Sequence, residues 1–138
     1  MTNDEMAQAY LVQAEEILLE AENAHGRGVW NLVVRRAQEA VELALKAALR
    51  GAGIEVPRVH DVGVFLKEHH AKFPEAFRAE IERLASISRR LRREREVSFY
   101  GDEEAGAAPQ QLYAAPDARM ALDDAGYVLQ QCRRLIGQ

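Results

Sequence analysis

Apolar residues recur every three to four positions along most of the chain, and no stretch alternates with a period of two, so the pattern predicts helices and no strands. Over residues 4–25, Met6, Tyr10, Ala14, Ile17, Ala21 and Ala24 form one stripe, which Leu11 and Leu18 widen. Gly26 and Gly28 interrupt it. A second helix is predicted over 29–50, closed by Gly51 and Gly53. Its apolar positions, among them Val34, Ala37, Val41, Ala44, Leu45 and Ala48, cover more than one stripe, as in a central helix with neighbours on two sides. Gln38, Glu42 and Lys46 follow one line at four-residue steps, and the Glu-to-Lys order suits an ion pair along a helix.

Pro57 ends the next connection, and Asp61 is placed to cap a short helix over 62–71, which makes the neighbouring His60 structural. Pro74 opens a fourth helix running to about residue 96, with Phe77, Ile81, Leu84, Ser88 and Leu91 on one face. Residues 101–116 lack periodicity and are rich in turn formers, which predicts a loop with a mobile tip. A last helix is predicted over 117–136, through Ala118, Ala121, Ala125, Val128, Leu129 and Cys132. Five helices on mostly short connections predict an all-α, antiparallel up-and-down bundle. At 138 residues it should be a single domain spanning 1–138.

Composition narrows the function classes. Hydrophobic residues make up 48% and charged residues 29%, and no apolar run reaches the roughly 20 residues that span a bilayer. The first ten residues show no basic then apolar leader, so a cytoplasmic location is expected, with no membrane partner. Cys132 is the only cysteine, which rules out an internal disulfide and a cysteine-based zinc site, and its apolar neighbours place it in the core. His25, His60, His69 and His70 make no H-E-x-x-H and no two E-x-x-H motifs of the kind that build a di-iron bundle site, so neither a metal nor another cofactor is expected.

Charge is unevenly spread. Residues 83–100 hold six arginines, at 83, 89, 90, 92, 93 and 95, against Glu94 and Glu96, on a chain of net charge −4. Residues 4–25 are the mirror image, with six acids and no lysine or arginine. The basic stretch is therefore either a polyanion-facing surface or a partner for the acidic first helix.

The segment 30–61 carries the pattern A-x-x-A-V-E-x-A-L-K-A at Ala37, Ala40, Val41, Glu42, Ala44, Leu45, Lys46 and Ala47, followed by Gly53, Pro57, His60 and Asp61. In this it resembles the HEPN family, and the likeness extends over nearly the whole chain. The resemblance implies a helical bundle that commonly forms homodimers. Active members carry Arg, four residues, His, one residue and Tyr at the end of the fourth helix. The register here gives Arg93, then Ser98 in place of His, Phe99 and Tyr100. Such members cleave RNA without metal: a ribose 2′-hydroxyl attacks the adjacent phosphate, His moves protons and Arg stabilises phosphoryl charge. In toxin-like relatives the matching Tyr accepts AMP from a separately encoded minimal nucleotidyltransferase.

Ser98 changes what that resemblance carries. An imidazole titrates near pH 6.5, whereas a serine hydroxyl does not exchange protons at neutral pH unaided. Arg93 keeps the phosphate-gripping half of the site, with Arg89 and Arg90 beside it. On one continuous helix, five residues separate Arg93 and Ser98 by about 140°, so either the helix ends between them or a second subunit completes the site. Three readings follow: a nucleotide- or RNA-binding subunit of a toxin-antitoxin-like pair with a minimal nucleotidyltransferase; an active metal-independent ribonuclease in which His60 or a water chain moves the proton; or a purely structural helical adaptor.

Overall fold

The computed structural model describes residues 1–56, 58 and 61–137. Pro57 and His60, named above as the end of a connection and a candidate proton carrier, lie outside the described residues. The described chain is all helical. Helix α1 spans Asn3–Gly26, α2 Trp30–Gly51, α3 Val62–Glu68, α4 Glu75–Arg78, α5 Ile81–Arg93, α6 Val97–Tyr100 and α7 Ala115–Leu135, with single 3₁₀ turns at His70–Lys72 and Pro109–Gln111.

Local chemistry sets the ends of these elements. The Thr2 hydroxyl oxygen accepts from the Glu5 amide at 3.1 Å and caps α1. The Asp61 carboxylate accepts from the Gly63 amide at 2.9 Å and caps α3. At α7 the Asp117 carboxylate reaches back to the Ala114 amide at 2.8 Å, so the helix starts two residues before the predicted position.

Helix α2 is the centre, packed chiefly against α1 and α7. Both helices bury small residues, Ala7, Ala14, Ala21 and Ala24 on α1 and Ala37, Ala40, Ala44, Ala47 and Ala48 on α2. Alanine faces let helix axes approach to the short end of the usual 8–10 Å. The buried stripe of α1 is thus centred on Ala7, Leu11 and Ala14, while Met6 and Tyr10 sit at its margin, one position away from the predicted centre. Leu45, Leu49, Leu66, Leu84 and Leu129 are fully buried, each adding about 1.5–3 kcal/mol. Helix α3 packs on α5 through Gly63, where an added Cβ would lie 3.0 Å from the Ala85 Cα.

Two predicted segments differ in detail. The fourth helix, predicted to run to about residue 96, is interrupted once, giving α4 and α5, and ends at Arg93, with α6 following beyond it; Pro74 is the residue before α4 rather than inside it. The loop over 101–116 is folded rather than shapeless. Asp102 and Ala107 exchange two backbone hydrogen bonds, both 2.9 Å. Gly101, at φ +78°, starts this reversal, and any side chain there would collide with the Ala107 carbonyl.

Candidate functional site

The residues singled out by the sequence meet at the corner where α5 gives way to α6. Helix α5 ends at Arg93, residues 94–96 form a turn, and the Ser98 amide donates to the Glu94 carbonyl at 2.8 Å as α6 begins. The helix therefore ends between Arg93 and Ser98 within one chain, and the 140° separation of a continuous helix does not apply.

A polar seam on α2 makes this turn. Asn31, Arg35, Gln38 and Glu42 lie on one line of a helix that otherwise buries mainly alanine, valine and leucine. Asn31 Nδ2 donates to the Ser98 carbonyl at 3.1 Å, and Arg35 Nη1 donates to the Arg95 carbonyl at 2.6 Å. Gln38 Oε1 accepts from Arg95 Nη1 at 2.7 Å, and Glu42 accepts from Arg92 Nη1 at 3.1 Å. The seam thus supplies donors for carbonyls that a helix end leaves unpaired. Asn31 and Gln38 are buried, so these partners stand in for water. Lys46 extends the line and lies 3.7 Å from Glu42, the pair expected from their spacing.

Ser98 is 0% exposed. Its hydroxyl donates to the Arg95 carbonyl at 3.2 Å, and its own carbonyl is the Asn31 acceptor. It fastens α6 down. Its neighbours face outward: Phe99 is 43% and Tyr100 58% exposed, packed edge to face at 5.1 Å, with the Arg35 guanidinium 4.7 Å from the centre of the Phe99 ring.

The six arginines divide into two sets. Arg83 lies over the Tyr127 ring at 3.8 Å, Arg90 pairs with Asp124 at 2.8 Å, and Arg92 and Arg95 grip Glu42 and Gln38. These four tie α5 and the turn to α2 and α7. Arg89 and Arg93 are exposed and, among the described residues, have no ion-pair or hydrogen-bond partner. They lie four residues apart on one face of α5. The acids of α1 pair elsewhere, Glu15 with Arg133 and Glu20 with Arg36. Neutralisation of the basic stretch by α1, one of the explanations considered for it, is therefore not seen in these pairs.

Beyond the turn, Glu94 accepts from the Tyr113 hydroxyl at 2.7 Å. Burial first, and then that bond to a carboxylate, push the Tyr113 hydroxyl well above the usual tyrosine range. The residue is a strut between the loop and the corner.

The model of the HEPN domain matches residues 7–135, nearly the full length. The chain belongs to the HEPN domain family. No curated protein matches it. Among solved structures, the HEPN chain is similar to TT1696 from Thermus thermophilus, at 24% identity, over 93% of this chain and 96% of that one, with a TM-score of 0.72. That likeness concerns the fold. Among the described residues no helix is long and apolar enough to cross a membrane.

Sequence reasoning placed Arg93, Ser98 and Tyr100 near one another along the chain and put Gln38 on a line with Glu42 and Lys46, but it did not find Asn31 and Arg35 or connect that line to the corner. A signal was present. Asn31 and Gln38 are amides seven residues apart, on the same face of an otherwise alanine- and leucine-rich HEPN helix, and buried amides need partners.

Proposed function

We propose that this HEPN domain is a binding subunit: it holds a nucleotide or RNA through phosphate contacts from Arg89 and Arg93, forms a homodimer, and pairs with a minimal nucleotidyltransferase in a toxin-antitoxin-like system. The observation that carries this reading is the state of Ser98. The position that holds the proton-moving His in active family members is here a buried serine whose hydroxyl is committed to the Arg95 carbonyl. Ribonuclease turnover then lacks its proton carrier, while two unpaired guanidinium groups remain for phosphate oxygens. Arg90, grouped with them from the sequence, is committed to Asp124 and contributes less. The dimer and the nucleotidyltransferase partner follow from the family resemblance. Fluorescence anisotropy with a labelled RNA in EDTA tests the reading: binding that Arg89→Ala with Arg93→Ala abolishes supports it, and metal-free cleavage by the wild type overturns it.

The exposure of Tyr100 favours a second role within the same pairing. Its hydroxyl oxygen loses its proton and forms a bond to the α-phosphorus of ATP held by the partner enzyme, the bond from that phosphorus to the bridging oxygen breaks, and the products are the AMP ester of Tyr100 and pyrophosphate. An AMP mass increment on the wild type but not on Tyr100→Phe, after incubation with the nucleotidyltransferase and ATP, tests this.

A further inference from the structure

A second concentration of positive charge lies further along α2. A cleft of about 530 Å³ opens beside the C-terminal half of that helix, walled by Tyr10 of α1, by Lys46 and Arg50 of α2, and by Ile54, Glu55, Val56 and Arg58 of the segment that follows. Three cations face one carboxylate there, although the chain as a whole has a net charge of −4. Arg50 is eight residues past Glu42, the residue that Arg92 grips, which is about 12 Å along the helix axis.

The cations are held but not neutralised. Lys46 lies 3.7 Å from Glu42, but that carboxylate also accepts from Arg92 Nη1 at 3.1 Å and from Gln38 Nε2 at 3.1 Å, so its charge is shared among three donors. Arg50 donates Nε to Asn3 Oδ1 at 3.0 Å, a neutral acceptor that orients the guanidinium. No carboxylate pairs with Arg50 or with the exposed Arg58 among the described residues. The rest of the lining is unlike these cations. Ile54 is buried, Val56 is half-buried, and the half-buried Tyr10 offers a ring. A fixed guanidinium beside an ammonium suits phosphate oxygens, and an aromatic and aliphatic wall suits a flat apolar body attached to them.

We propose that this cleft is a second anion site, separate from Arg89 and Arg93, that takes the phosphate groups of a small ligand on Lys46 and Arg50 and lays an attached ring against Tyr10. The phosphate chemistry is shared by free pyrophosphate and by a nucleoside diphosphate, and the ring contact favours the latter.

The test is a titration of the full chain with ADP and, separately, with pyrophosphate, followed by amide chemical shifts in NMR. ADP is expected to bind more tightly than pyrophosphate. Arg50→Gln and Lys46→Gln should each weaken both ligands roughly tenfold, the loss of one charge-assisted contact. Lys46→Arg should retain binding, and Tyr10→Leu should remove the advantage of ADP. Thermal melts of each variant separate lost binding from lost folding. Shifts of the amides around Lys46 and Arg50 that persist in Arg93→Ala report this cleft, and shifts confined to the surroundings of Arg89 and Arg93 report the other site, so failure here is distinct from failure of the Arg89 and Arg93 reading. Absence of binding at millimolar ligand, loss on Arg93→Ala, or pyrophosphate binding more tightly than ADP would each overturn the proposal.

Discussion

The side-chain amide of Asn31 donates to the carbonyl oxygen of Ser98 at 3.1 Å, joining the first turn of α2 to the short helix α6, 67 residues further along the chain. The bond is buried, so losing its donor strands a carbonyl away from water. Asn31→Ala should destabilise the fold by about 1–3 kcal/mol in urea unfolding, and Asn31→Asp by at least as much, because a carboxylate has no proton to give. A loss below about 0.3 kcal/mol for both would show that the seam does not hold the corner.

Ser98 gives the next prediction. Its hydroxyl bond is internal to the turn, so Ser98→Ala should cost about 1 kcal/mol or less. Ser98→His puts an imidazole into a fully buried, serine-sized space and should cost about 1–3 kcal/mol through overpacking, without producing a ribonuclease. Circular-dichroism unfolding and an RNA gel in EDTA check both halves. A stable Ser98→His variant that cuts RNA would mean that the corner accommodates the missing group.

The two sets of arginines should separate cleanly by assay. Arg92→Ala removes a donor from Glu42, and on this partly exposed site the loss should be about 1 kcal/mol of stability. Arg89→Ala and Arg93→Ala should stay within about 0.5 kcal/mol of wild type and instead reduce the salt dependence of RNA binding by about one phosphate contact each. Equal effects of Arg92→Ala and Arg93→Ala in both assays would refute the division.

Much of the fold could be read from residue order because it rests on local signals: the apolar periods of α1, α2 and α7, the Asp61 cap and the closing glycines. The break after Arg93 could be read only as one of two alternatives, from the angle between Arg93 and Ser98, and not from the turn itself. Its turn, Glu94, Arg95 and Glu96, contains neither Gly nor Pro, and continuing the helix is locally favourable. The turn is held from outside, by donors on Asn31 and Arg35, which lie about sixty residues earlier. The arginine partners were hidden for the same reason. Bulk charge pointed to the acids of α1, whereas distance and burial select Glu42, Gln38, Asp124 and the Tyr127 ring.

Cys132 is buried in α7, and burial pushes its thiol up to about 12 from an ordinary value of 9.0. A raised value means less thiolate at any pH below it. At pH 8 the reactive fraction falls roughly a thousandfold before steric protection is counted. A colorimetric thiol reagent should therefore leave the native chain unlabelled at pH 8 and react promptly in denaturing urea. Rapid native labelling would place Cys132 outside the core.

Binding and cleavage can be read in one experiment, by mixing a labelled single-stranded RNA with the purified protein in EDTA and recording anisotropy before running a denaturing gel. The expected result is a rise in anisotropy that the Arg89→Ala, Arg93→Ala double variant abolishes, with every RNA molecule intact. New RNA ends made by the wild type and lost in Arg93→Ala, or an anisotropy that the double variant leaves unchanged, would contradict the reading of this HEPN corner as a phosphate-binding site without a nuclease.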